Sequence, residues 1–116
     1  MILKLIVIRS QNLEEVATFY RSVGLSLEYH KHGKSPFHYS ASIGETVLEL
    51  YPLAKGQMEA DKHFRIGFGI NDFEDTITRL RDLNTPFVME ATNTEFGFMA
   101  IVSDPDDRKV ELYKIT

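Results

Sequence analysis

A shift of 60 residues lays the second half of this chain over the first. It pairs Leu13-Glu-Glu15 with Phe73-Glu-Asp75 and Tyr20-Arg21 with Leu80-Arg81. With two further residues in the loops, it also pairs Val47-Leu-Glu-Leu-Tyr51 with Lys109-Val-Glu-Leu-Tyr113. A repeat of this period means one supersecondary unit used twice. The chain has only 116 residues, so each unit is too small to bury a core alone. The halves must pack on each other or on a second chain. The expectation is one domain over residues 1–116, with module 1 at 1–56, module 2 at 61–116 and a polar connector at 53–62.

Each unit reads as β-α-β-β-β. Leu3 to Ile8 is β-branched and apolar, the pattern of a buried strand. Asn12 with Glu15 three residues on predicts a capping box. Leu13, Val16, Phe19, Tyr20 and Val23 then recur at helical spacing, and Gly24 ends the run. Strand-like runs follow at 26–31, 37–43 and 46–51, separated by Gly33-Lys-Ser-Pro36 and Gly44-Glu45. In module 2 the strand runs over 63–70. Phe73, Ile77, Leu80 and Leu83 make the apolar face of a helix capped by Asn71 or Asp72. Asn84-Thr-Pro86 ends it before strands at 87–90, 96–103 and 109–115. The class is α+β: two tandem modules forming a curved sheet around a cavity, with helices outside.

Composition narrows the function classes. There is no cysteine, so disulfides, thiolate metal sites and a cysteine nucleophile are excluded. The net charge is −4 with no basic stripe, which argues against a nucleic-acid partner. The longest apolar run, Met1 to Ile8, is interrupted by Lys4 and is too short to span a bilayer. No signal-peptide pattern follows it, so the expected location is the cytoplasm, without a membrane partner.

The residues with chemical potential are Glu49 and Glu111, at equivalent places in the repeat. Leu48 and Leu50 flank the first, Val110 and Leu112 the second. Strand alternation turns the apolar neighbours to the helix and both carboxylates to the opposite face. There they could meet a cation, bind a metal or move a proton; a solvated outer face is the plainer alternative. His30, His32 and His38 form a possible rival metal site. Lys31, Gly33 and Lys34 instead mark His30 and His32 as an exposed hairpin tip. One of His38 and Tyr39 should point to the carboxylate face. Phe96 and Phe98 could wall an apolar cup or pack in the core.

The duplicated order, the run Asn12-Leu-Glu-Glu-Val-Ala-Thr-Phe-Tyr20 with Gly24-Leu25, and Ser103-Asp-Pro-Asp-Asp-Arg-Lys-Val-Glu-Leu112 together resemble the vicinal oxygen chelate superfamily. That superfamily includes glyoxalase I, bleomycin-resistance proteins and extradiol dioxygenases. Asp107 stands where the family's Asp-Pro-Asp-Gly turn carries glycine. In metal-dependent members, a His or Gln on the first strand of each module joins the last-strand carboxylate. The resemblance carries the carboxylates to Glu49 and Glu111, but the first-strand positions hold Leu5 and Arg65. Neither has a lone pair to offer.

The resemblance therefore implies a metal-independent protein that binds a small anionic or polar-aromatic molecule, resembling the bleomycin-resistance branch. Arg65 is expected between Glu49 and Glu111, in place of the metal, over a face left hollow by Gly67 and Gly69. Ligand contacts are expected from Arg65, His38, Tyr39, Glu49, Glu111, Phe96 and Phe98, with no cofactor. The alternative is a divergent metal-dependent lyase or dioxygenase using Glu49 and Glu111 for a divalent metal. A third possibility is an interaction module with a vestigial cavity. A homodimer is expected, because sheet edges and repeated faces need cover.

Overall fold

The structure is a computed structural model covering residues 1–116. Its elements run β1 (Leu5–Ser10), α1 (Leu13–Val23), β2 (Glu28–His30), β3 (His38–Ile43), β4 (Thr46–Pro52), β5 (Ile66–Ile70), α2 (Phe73–Asp82), β6 (Phe87–Thr94), β7 (Gly97–Ser103) and β8 (Lys109–Lys114). They form two curved, unclosed four-stranded sheets, ordered β1-β4-β3-β2 and β5-β8-β7-β6. The identical order in both sheets is the fold-level image of the 60-residue repeat. In each, the first and last strands of the module pair in parallel and the remaining pairs are antiparallel.

Both helices stop at pseudo-equivalent residues. Gly24 has φ 130° and Asn84 has φ 59°, and the following amides, Leu25 and Thr85, bond back to the carbonyls of Tyr20 and Leu80 at 3.0 Å. Left-handed backbone after a helix favours Gly, and Asn is the usual substitute. Asp107, with φ 66°, makes the same use of a short polar side chain in the turn before β8.

Alternation sorts the strands. Ile6 and Ile8, Leu48 and Leu50, Val110 and Leu112, and Ala100 and Val102 face the helices and join Val16, Phe19, Tyr20, Phe73 and Leu80 in one core drawn from both modules. The two helices touch each other within it. No helix is long and apolar enough to cross a membrane.

Several local expectations change. Asn12 makes no side-chain cap; its Nδ2 donates to Asp106 Oδ1 at 2.9 Å, while its own amide is held by Ser10 Oγ. β2 is three residues rather than six, and β5 starts at Ile66 rather than His63. β6 runs four residues past Glu90, with register shifts between Phe87 and Thr92 that hide its periodicity. Leu83 lies beyond α2 and is exposed.

Asp104-Pro-Asp-Asp-Arg108 is the turn between β7 and β8, and its Asp104, Asp106 and Arg108 side chains form a buried clamp between modules. Arg108 is 1% exposed. It donates to Asp104 at 2.8 Å, to Asp106 at 2.9 Å and to the Arg9 carbonyl at 3.0 Å. Tyr20 of α1 donates to Asp104 at 2.9 Å. Two carboxylates and one guanidinium leave one excess negative charge, which the Tyr20 hydroxyl, the Asn12 amide and the backbone amides of residues 106 and 108 offset.

Candidate functional site

Two groups of polar side chains stand on the sheet faces turned away from the helices, one per module. In module 2, Arg65 sits just before β5 and donates to Glu111 of β8, which also accepts from the Tyr113 hydroxyl. The Tyr113 bond holds the Glu111 carboxyl below the ordinary carboxylate range; burial opposes this and Arg65 assists it. The same bond pushes the Tyr113 hydroxyl up, because ionising it would set two anions together. Arg65 remains 46% exposed, so one side of the guanidinium is fixed and the other is free.

The face beneath it is filled rather than hollow. A Cβ on Gly67 would come 3.2 Å from the Tyr113 ring, and one on Gly69 would come 2.9 Å from Ile115. The two glycines make room for these side chains, and Tyr113 is thereby placed to orient Glu111. Beside this trio lies a groove of about 320 Å³ lined by Lys62, His63, Phe64, Arg65, Asp107 and Lys109. Three permanent cations against one carboxylate make it electropositive. Two larger grooves, of about 450 and 610 Å³, lie by the ends of α2 and α1. They are shallow seams between elements, with no cluster of cations.

In module 1 the partner of Glu49 is not Arg65 but His38, whose Nε2 lies 3.3 Å from Glu49 Oε2. Cross-strand register explains this: Glu49 pairs with Ser40, and His38 lies diagonally beside it on the same face, opposite His30. The His38 ring stacks on Tyr51 at 4.2 Å, and Arg9 caps Tyr51 from the other side at 4.9 Å. His32 is exposed at the hairpin tip, as expected, and His30 is half-buried, yet both rings lie against His38. A turn in which the Ser35 amide bonds the His32 carbonyl folds the hairpin back. The three imidazole centroids then lie 4.5, 4.9 and 5.3 Å apart. One ligand atom from each of His30, His32, His38 and Glu49 falls within 4.8 Å of the others.

Other expected contacts fall elsewhere. Tyr39 faces the helix side, where its hydroxyl donates to Glu14 of α1. Phe98 packs edge-on against Phe73 of α2 at 5.6 Å, in the core and not in a cup. Phe96 is 72% exposed in the β6–β7 turn. Leu5 and Val7 are exposed on the Glu49 side of β1, since Ile6 and Ile8 take the core side.

The profile of the Glyoxalase/Bleomycin resistance protein/Dioxygenase superfamily matches residues 2–112. The chain belongs to that superfamily. Solved structures of the same fold carry different activities. The antibiotic-binding protein TnmS3 from Streptomyces sp. CB03234 is 20% identical, with a TM-score of 0.78 over 100% of this chain and 97% of that one. Oxidase ChaP-H2 is 14% identical, with a TM-score of 0.76 over 100% and 94%. The lactoylglutathione lyase from Agrobacterium tumefaciens is 17% identical, with a TM-score of 0.69 over 98% and 93%. No curated protein matches the sequence. At these identities the likeness establishes the fold, and the chemistry has to be argued from the site.

The superfamily's metal does not fit its usual place here. Leu5 offers no ligand atom, Arg65 carries a permanent charge, and Glu111 is taken up by Arg65 and Tyr113.

Proposed function

We propose that this chain binds a small anionic or polar-aromatic molecule on its sheet face, with the Arg65 guanidinium meeting the ligand where relatives use a metal. The observation that carries this reading is the Arg65–Glu111–Tyr113 trio beside an electropositive groove. Glu111 and Tyr113 preorganise the cation, so little side-chain entropy is lost when an anion arrives. A planar guanidinium also suits a carboxylate or phosphate better than an ammonium would. That TnmS3 is an antibiotic-binding protein makes a binding role credible on this fold. A divergent lyase or dioxygenase using both glutamates is less well supported, because Glu111 is already engaged.

The exposed Leu5 and Val7 give the module 1 face an apolar surface. We infer that a second copy of the chain covers such faces, which light scattering coupled to size exclusion would read as a mass near 27 kDa, twice the chain mass of 13.3 kDa. Titrating ¹⁵N-labelled protein with a panel of small aromatic carboxylates and phosphates tests the binding site. Amide shifts should concentrate on residues 62–67, 107–109 and 111. Shifts confined to the grooves at the helix ends would reject it.

A further inference from the structure

The histidine hairpin of module 1 has a use that the Arg65 reading leaves untouched, and it stands in the other sheet. We propose that His30, His32, His38 and Glu49 hold one divalent transition-metal ion, zinc by preference, at a site that shares only Glu49 with the position the superfamily resemblance implies. Its imidazoles come from the β2–β3 hairpin and not from the first strands of the modules.

His38 decides the matter. Its ring is 0% exposed, and its Nδ1 lies 3.0 Å from the Pro36 carbonyl. A carbonyl only accepts, so Nδ1 carries the proton and donates it. In the neutral ring this leaves the lone pair on Nε2, and an N–H bonded to a backbone carbonyl is the usual way a metal-binding imidazole is oriented. Nε2 is buried and has no hydrogen-bond partner, a costly state for a polar atom. It lies 3.3 Å from Glu49 Oε2. Two donors on a tetrahedral zinc, at bond lengths of about 2.0–2.2 Å, stand roughly 3.3–3.5 Å apart. This pair already has the spacing of ligands that share an ion. His32 is exposed in the turn, so it has room to close the remaining gap.

The repeat supplies an internal control. In module 2, Glu111 pairs with Ile101 and Tyr113 with Met99, so Ile101 and Met99 stand where module 1 has Ser40 and His38. The module therefore folds without imidazoles here, and their gathering in module 1 is not a demand of the architecture. Three nitrogens and one carboxylate oxygen suit zinc and its borderline neighbours, and suit magnesium and calcium poorly. Four protein ligands make a closed set, the mark of an ion that ties structure together. Here it would pin the 31–37 turn to β4.

The test uses untagged full-length protein stripped with chelator, titrated with zinc alone and with cobalt alone. The expected result is one ion per chain, a melting temperature raised by several degrees, and the visible absorption of tetrahedral cobalt. His32→Ala changes an exposed side chain and should leave the metal-free melting temperature unchanged. It should weaken zinc binding tenfold or more, since even outer-shell partners of a metal are worth about 10–100-fold. Glu49→Gln should act likewise, whereas His63→Ala, which alters the one histidine outside the cluster, should not. Absence of stoichiometric binding, or binding that survives His32→Ala and Glu49→Gln, overturns the proposal. The zinc result and a failure of Arg65 to meet an anion are separate outcomes, because the metal is titrated without any organic ligand.

Discussion

Arg108 shows how much of this protein rests on single side chains that local sequence does not advertise. Its guanidinium is the sole cation among Asp104, Asp106 and the Tyr20 hydroxyl, all sealed from water. Arg108→Met keeps the volume and removes the charge, leaving two buried carboxylates uncompensated. The expected loss is about 3–5 kcal/mol of unfolding free energy, measurable by urea denaturation. Tyr20 adds a pH dependence. Burial, then the Asp104 charge, push its hydroxyl well above the usual phenol value. A group whose folded pKa is raised stabilises the fold fully below its unfolded pKa, about 10, and loses that contribution as pH rises through the folded value. Melting temperature should therefore fall steeply above pH 10, and Tyr20→Phe should flatten that limb while costing stability at neutral pH.

At the scale of elements, the repeat made most of the fold legible, because helix spacing, strand alternation and terminating residues recur in both modules. Gly24 ends α1 at φ 130°, where an added Cβ meets no neighbour but the backbone itself resists any side chain. Gly24→Ala should cost about 1–2 kcal/mol by denaturant unfolding, against little change for an exposed alanine substitution in mid-helix. The carboxylate face at Glu49 and Glu111 followed from alternation alone. Of their partners, Arg65 beside Glu111 is the one the sequence anticipates. His38 beside Glu49 is not, because it depends on the β2–β3 hairpin, whose register places His38 opposite His30 and one diagonal step from Glu49. Centring that hairpin on Lys34 would have found the pair; β2, at three residues, is too short to show a period. The burial of Asp104, Asp106 and Arg108 had no local signal, since a charged turn looks the same until a helix is packed over it.

For the whole molecule, the contacts that join the modules are those of an interior. Tyr20 reaches Asp104, Asn12 reaches Asp106, Arg108 reaches the Arg9 carbonyl, and one apolar cluster runs through both halves. Fragments 1–56 and 61–116 expressed separately should each lack the dispersed amide spectrum of the full chain; an independently folded fragment would contradict a shared core. Superfamily membership fixes the scaffold, and the two outward faces have diverged on it: one carries a preorganised cation, the other a nest of imidazoles. The central claim concerns the first face, and Arg65 is exposed enough to be changed without harming the core. Affinity for the best anionic probe, measured by calorimetry on wild type and Arg65→Ala at matched ionic strength, is the most direct test. A charge-assisted contact at a half-exposed guanidinium is worth about 1.5 kcal/mol, so the variant should bind roughly tenfold more weakly with its melting temperature unchanged. Equal affinity in the two proteins would contradict the account.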